Sequence, residues 1–185
     1  MAAPSPTDPD DAADVSAALA GDRDRFAALV TRHQGPVRAV VRAHVGQDMA
    51  LVDDLAQDAF LRAWRGLPTW RRGRGAFRAW LLAIARHVAR DHLRRAKRRP
   101  APRVWPDVEP AARPQPPAEA STRLDAALDA LPPAWRTVVL LADAHGMPLA
   151  EVARVERVAL GTVKSRLDRA RKALRAALGP EEDPR

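Results

Sequence analysis

The chain has 185 residues, a formal charge of +8 and a pI near 11.2, with no cysteine and no tyrosine, which excludes disulfides, thiol chemistry and cysteine-ligated zinc within it. The charge is uneven: residues 62–99 carry thirteen basic side chains and one acid, Asp91, whereas residues 1–61 carry ten acids and five bases. Such asymmetry points to an acidic face for one partner and a basic face for a polyanion, and by itself leaves DNA, RNA and an anionic membrane surface open.

In chain order, the opening MAAPSPTDPDDAAD is acidic and proline-rich, opposite to the basic and then apolar start of a signal peptide. No apolar run approaches a membrane span, so a cytoplasmic protein with no membrane contact is expected. Residues 1–12 read as a disordered tail. A helix is predicted over 14–33, with Val15, Leu19, Phe26, Leu29 and Val30 on one side. Gly35-Pro36 should break it and open a second helix ending near Gly46. Asp48 suits the N-cap of a third helix reaching Arg65, with Gly66 as its stop. The loop LPTWRRGRGA leads into a fourth helix over 77–97. Seven prolines between Pro100 and Pro117 then make residues 100–120 an extended, semi-rigid linker. Beyond it, Ser121 can cap a helix carrying Leu124, Leu128 and Leu131. Pro132-Pro133 opens another with Trp135, Val138, Val139 and Leu141, ending at Gly146. A short helix over 149–155 and a longer one over 160–178 complete an all-α pattern with no β alternation.

Placed on these helices, the chemistry falls on three faces. On the third helix Val52, Leu55, Ala56, Ala59, Phe60 and Ala63 turn inward, leaving Asp54, Gln57, Asp58 and Leu61 opposite, with Arg62 and Arg65 at the far end. On the fourth, Phe77, Trp80, Leu81, Ile84 and Val88 point to the core, and Ala79, Ala83, Arg86, Arg90 and Arg94 form the opposing stripe. Small residues admit a nucleic-acid backbone and the arginines neutralise phosphates. The preceding loop joins Trp70 to Arg71, Arg72 and Arg74, and an aromatic beside arginines suits an unstacked base, worth about 1–3 kcal/mol by stacking. Core packing accounts for most of Phe77 and Trp80, and Trp70 fits a structural lid as well as a base contact. On the last helix, burying Val163, Leu167, Ala170 and Leu174 sends Lys164, Ser165, Asp168, Arg169 and Lys172 outward. Thr162 and the free N–H groups of that first turn suit a phosphate.

These strings resemble the extracytoplasmic-function (ECF) sigma factors of the sigma-70 family. DDLAQDAFLRAW is similar to the core-binding helix of region two, FRAWLLAIARHVARDHLRR to the segments that melt promoters and read the −10 element, and GTVKSRL with RARKAL, after Leu131-Pro132-Pro133, to the region four helix-turn-helix that reads the −35 element. The resemblance implies two small helical domains, 13–99 and 121–178, on a proline-rich tether, with a tail over 179–185. It assigns Asp54, Gln57, Asp58 and Leu61 to a coiled coil of the largest catalytic subunit of RNA polymerase core. Trp70, Arg71, Arg72, Arg74, Arg86, Arg90 and Arg94 fall to the −10 element and melting, and Thr162, Lys164, Ser165, Arg166, Asp168 and Arg169 to the −35 element. It also implies an anti-sigma partner and places Trp105, in the linker, near the polymerase cleft. Asp168 could accept from a cytosine amino group or repel a phosphate, setting sequence preference. One departure stands out: the helix-turn-helix turn, usually glycine in this family, is Arg157, preceded by Glu156 where an apolar residue is common.

Two other classes compete. A helix-turn-helix regulator with a sensing or dimerising N-terminal half would bind DNA without polymerase, but leaves the acidic helix and aromatic loop unexplained. A nucleic-acid enzyme needs a catalytic constellation. His33, His44, His87, His92 and His145 lack metal-ligand spacing, and His87 and His92 diverge by about 140° around a helix. Neither cofactor nor metal is expected.

Overall fold

The computed structural model describes residues 9–71, 76–98 and 123–179, and every element among them is helical. The N-terminal half holds α1 (Pro9–Leu19), α2 (Arg23–Val45), α3 (Met49–Gly66) and, after a short 3₁₀ turn at Leu67–Thr69, α4 (Phe77–Arg98). The C-terminal half holds α5 (Arg123–Ala130), α6 (Pro133–Val139) with a π turn at Leu140–Ala144, α7 (Leu149–Glu156) and α8 (Leu160–Leu178).

The first two helices differ from expectation. The chain breaks not at Gly35-Pro36 but at residues 20–22, where Gly21 takes φ +107°. Asp22 then caps α2, its carboxylate accepting from the N–H groups of Asp24 (3.1 Å) and Arg25 (3.4 Å). This isolates Leu19, half exposed at the end of α1. Pro36 lies inside α2. An interior proline costs about 3 kcal/mol, and the buried Val37, Val40 and Val41 around it, each worth about 1.5–3 kcal/mol, offset that.

The opening helix also starts earlier than the expected tail allows, and a buried polar cluster explains why. His33 Nε2 lies 3.0 Å from both Asp11 oxygens, Arg32 donates to Asp11 at 2.6 Å and to Asp14 at 3.0 Å. Burial alone would raise the Asp11 pKa; the hydrogen bonds and charges of His33 and Arg32 outweigh it and hold the carboxyl below its ordinary range.

Asp48 caps α3 as predicted, accepting from the Leu51 N–H at 3.0 Å, a bond worth about 1 kcal/mol. The helix ends at Gly66, yet Gly66 keeps right-handed geometry with φ −87°. Pro68, with no N–H for the Trp64 carbonyl, is what stops the helix, and the Leu67 N–H takes that carbonyl instead. In α5, Leu128 is buried while Leu124 is exposed, so only part of the expected leucine register faces inward. Ser121 and the linker 100–120, with Trp105, lie outside the described residues.

Between α7 and α8, Arg157 adopts left-handed geometry, φ 54° and ψ 47°, as the chain's glycine-like turn requires. It is the one non-glycine residue at positive φ among those described. Such a conformation stores about 1–3 kcal/mol, which glycine would relieve less its own entropy cost. Arg157→Gly is therefore expected to stabilise the protein by about 1 kcal/mol, read as a higher urea midpoint at unchanged slope. An unchanged or lower midpoint contradicts the strain.

The two halves close on each other. α4 packs against α7, and α2 against α6 and the π turn, so the buried side chains form one continuous core. Polar links cross the same seam: Arg42 pairs with Asp125 at 2.5 Å, and the Gln47 amide donates to Asp129 at 2.5 Å.

Candidate nucleic-acid and polymerase interface

On α3 the apolar side, Val52, Leu55, Ala56, Ala59 and Ala63, is buried. Opposite it, Asp54, Gln57 and Leu61 are exposed, Leu61 at 48%. Asp58 is half-buried and already gripped by Arg62, whose Nε and Nη2 donate to its two oxygens at 3.1 and 2.9 Å. Arg62 also reaches Asp91 at 3.6 Å. The solvated acid on this surface is thus chiefly Asp54, with Asp58 softened by its pair.

The last turns of α3 and the loop lead to α4. Trp70 is half-buried, edge-on to Phe77 at 5.8 Å, and its indole Nε1 is buried without a hydrogen-bond partner. Arg71 is exposed, and its guanidinium donates to the carbonyls of Pro68 and Trp70. Arg72 and Arg74 lie outside the described residues. A cavity of about 450 Å³ opens beside Trp70, floored by Ala79, Trp80 and Ala83 and rimmed by Arg71, Arg154 and Arg157. An aromatic floor with an arginine rim suits a planar base and its phosphate.

The expected stripe on α4 divides in two. Arg90 and Arg94 are exposed. Ala79 is buried, and Ala83 and Arg86 are partly covered, because α7 lies over them. Arg86 Nε sits 3.1 Å from Glu156 Oε1, an ion pair whose alignment falls short of a hydrogen bond. Burial pushes the Arg86 pKa down, and Glu156 opposes that shift. Asp91, the lone acid of this segment, accepts from Arg94 and also meets His87 at 3.0 Å. The hydrogen bond from Arg94, then the charges of His87, Arg94 and Arg62, hold its carboxyl below the ordinary range.

On α8, Val163, Leu167 and Ala170 are buried, and Lys164, Ser165, Asp168, Arg169 and Lys172 are exposed on the other side. Ser165 Oγ donates to the Thr162 carbonyl at 3.0 Å, and Thr162 is half-buried. Arg166 departs from the expected face: it turns back to Glu156 at 3.4 Å. Glu156 itself, 3% exposed, is the residue that residue-pattern reasoning noted only as a departure and did not assign. Its occurrence where an apolar side chain is usual was the available signal.

Two histidines sit in the seam between the halves. His44 Nδ1 donates to the Val40 carbonyl (2.9 Å), and burial pushes its pKa down, outweighing that bond and the charge of Glu156. His145 lies against Gly35, and burial, then Arg78, lowers its pKa too. For both, the unfolded chain takes up protons at higher pH than the folded one. Their stabilising effect is complete above the ordinary value of 6.5 and is lost as pH falls from there through the folded values. Thermal midpoints should therefore be flat above that pH and drop below it, and His44→Gln should flatten the drop. Asp11 adds loss of the same sign only once pH falls below 3.8. A midpoint that rises on mild acidification contradicts the assignment.

An acidic helix face beside an arginine-rich helix, with a helix-turn-helix behind them, defines a helical DNA-binding protein of transcription. Residues 29–99 match sigma-70 region 2 and residues 121–174 match sigma-70 region 4. The ECF RNA polymerase sigma factor SigM of Mycobacterium tuberculosis is 37% identical over 171 residues, 91% of this chain and 85% of that one. The RNA polymerase sigma-H factor of Pseudomonas aeruginosa is 31% identical over 174 residues, 86% and 89% of the two chains. The structure of CnrH in complex with the cytosolic domain of CnrY is similar at a TM-score of 0.67 and 26% identity, over 94% of this chain and 99% of that one. The sigma factor RpoE in complex with the anti-sigma factor NepR from Bartonella quintana shares the fold at a TM-score of 0.66 and 24% identity, over 85% and 98%. The chain belongs to the ECF sigma factors of the sigma-70 family. It is a factor for promoter-specific transcription initiation, acting by binding and not as an enzyme, and its partners are RNA polymerase core and promoter DNA. No described helix is long and apolar enough to cross a membrane.

Proposed function

We propose that the exposed face of α3, Asp54, Gln57, Asp58 and Leu61, docks on the coiled coil of the largest polymerase subunit. Trp70 and Arg71, with Arg72 and Arg74 of the same loop and Arg86, Arg90 and Arg94 of α4, then receive the melted −10 strand. Thr162, Lys164, Ser165, Asp168 and Arg169 of α8 meet the −35 duplex in the major groove. In this division, residues 13–99 form the core-binding and melting domain, 100–120 the tether and 121–178 the distal-element domain. Arg166 joins the last set only once its contact with Glu156 is released. The observation that supports this reading best is the segregation of sign on consecutive helices: acid and leucine exposed on α3, cationic surface exposed at Arg90 and Arg94 on α4. Binding energy is then spent on a strand that exists only when the duplex opens, which is how a binding protein favours melting. Such a factor works in the cytoplasm, on polymerase, with a regulatory protein covering these surfaces; RpoE of Bartonella quintana was solved with its anti-sigma factor.

Run-off transcription with purified core polymerase and a pool of promoter fragments tests the whole. Initiation at particular start sites that requires this chain is the expected result. Tight binding of a DNA site by the chain alone, with no affinity for core, would favour the regulator class instead. Within the same assay, Lys164→Ala with Arg169→Ala should weaken upstream-element recognition by at least about 30-fold, each lost contact being worth on the order of 1–3 kcal/mol. An unchanged footprint over that element would remove α8 from the assignment.

A further inference from the structure

Arg157 sits where its own backbone disfavours it. At φ 54° and ψ 47° a side chain is strained, and glycine would take the turn freely. Arg157 stands at the mouth of the cavity beside Trp70, together with Arg154 from the last turn of α7 and Arg71. Arg71 is held at the rim by its bonds to the carbonyls of Pro68 and Trp70. Ala76, Ala79 and Ala83, all small, leave the room, and Trp70 and Trp80 supply flat apolar wall. No acid lines this cavity among the described residues, so three cations gather there with no carboxylate between them. Like charges held together repel unless an anion joins them. The indole N–H of Trp70, buried and without a hydrogen-bond partner, leaves a donor unused in the same wall. Arg157 also lines the next cavity along α4, of about 350 Å³, with Arg86, Arg90 and Arg94. The cationic surface therefore continues past the mouth.

We propose that the cavity between Trp70, Trp80, Arg154 and Arg157 binds a free purine nucleoside diphosphate, the base lying on the indoles and the diphosphate on the two guanidinium groups of α7. At about 450 Å³ the cavity has the size of a small-ligand site, for which about 300–1,000 Å³ is usual, with aromatic walls and a few convergent polar groups. A guanidinium donates in parallel to two phosphate oxygens, and two neighbouring guanidinium groups suit two linked phosphates better than one. The fused rings of a purine cover more indole than a pyrimidine does. Strain at Arg157 then has a use: the turn keeps a cation that glycine could not provide. Unlike the melted strand assigned to Trp70 above, this ligand needs residues of both halves of the chain, so either assignment can fail alone.

Isothermal titration of the full-length chain with guanosine diphosphate tests the site, with adenosine diphosphate, guanosine and inorganic pyrophosphate as further probes. Both diphosphates should bind at one site per chain. Pyrophosphate should bind at least about fivefold more weakly, having lost the stacked base. Guanosine should bind at least about tenfold more weakly, having lost the charge-assisted hydrogen bonds. Arg157→Gly is the informative variant, because it relaxes the turn while removing one guanidinium, so lost binding cannot be blamed on a damaged fold. It should lower affinity for guanosine diphosphate at least about tenfold, and Arg154→Ala should do the same. Lys172→Ala with Arg175→Ala, exposed cations of α8 outside the cavity, sets the loss due to net charge alone. In nitrogen-edited NMR spectra the indole signals of Trp70 and Trp80 should move on titration. That of Trp64, which lines a separate cavity with Arg23 and Phe26, should stay. Pyrophosphate binding as tightly as the nucleotide would mean an adventitious ion only and overturns the proposal. An Arg157→Gly loss no larger than that of the α8 pair overturns it too. A mixed-sequence single-stranded oligonucleotide offers the same base and phosphate chemistry from another source. If Arg157→Gly costs the oligonucleotide as much affinity as the nucleotide, the cavity belongs to a DNA strand and the free-nucleotide assignment fails.

Discussion

Reversing the charge of Asp54 and Asp58 together is expected to reduce affinity for RNA polymerase core by at least about 100-fold, on the order of 3 kcal/mol. Four units of charge change on one docking face, and opposed like charges both slow encounter and leave a cation unpaired in the complex. The fold should survive. Asp54 is exposed, and the buried side of α3 is formed by other residues. Asp58 contributes one i,i+4 pair with Arg62, worth about 0.3–0.5 kcal/mol on a helix surface. Arg62 keeps a second acid within reach in Asp91 at 3.6 Å. Asp54→Arg/Asp58→Arg should therefore melt within a few degrees of the parent while failing to co-elute with core and to support run-off transcription. Binding within threefold of the parent would show that another face of the chain meets the polymerase. Leu61→Ala offers a gentler check on the same surface, because a half-exposed leucine amid carboxylates is where an interface gains its apolar contact.

How far the sequence carries such arguments depends on the range of the interaction involved. Asp48 could be placed as a cap because a cap is decided within three residues, and its bond to Leu51 bears that out. The apolar face of α3 was likewise legible, since one side of that helix meets the core and the other meets solvent. α4 was harder: Ala79, Leu82, Ala85 and Ala89 are buried along with Phe77, Leu81 and Val88, while the expected Trp80 and Ile84 are only partly buried, because α2, α3 and α7 surround the helix. A period of 3.6 finds one stripe and understates a helix enclosed on several sides. The break before α2 was missed for a related reason. Asp22 is a good local cap, but whether Pro36 ends a helix or rides inside one depends on how much Val37, Val40 and Val41 bury. Glu156 marks the limit. Its strangeness was visible in the chain, but its partner Arg86 belongs to the other domain, and no spacing rule connects them.

The largest expected loss of stability separates folding from recognition in the C-terminal half. Leu141 is fully buried at the π turn that follows α6, where its carbonyl accepts from the Met147 N–H at 2.9 Å. Leu141→Ala removes side-chain volume that the neighbouring helices cannot fully refill, at a cost of about 2–5 kcal/mol. Leu141→Met keeps most of the volume and should cost less than about 1.5 kcal/mol. Chemical denaturation should show that order, with the alanine variant losing a large share of a stability typically about 5–15 kcal/mol in all. Because the π turn packs against α2, the damage should also reach the seam between the domains. Upstream-element binding by α8 should then fail at a lower temperature than in the parent. Lys164→Ala with Arg169→Ala should lose the same binding at every temperature with an unchanged unfolding curve, since both side chains are exposed. If the alanine variant at Leu141 unfolds like the parent, the core does not pass through that turn. In that case the closed arrangement of α6 against α2 is not what holds the two halves together.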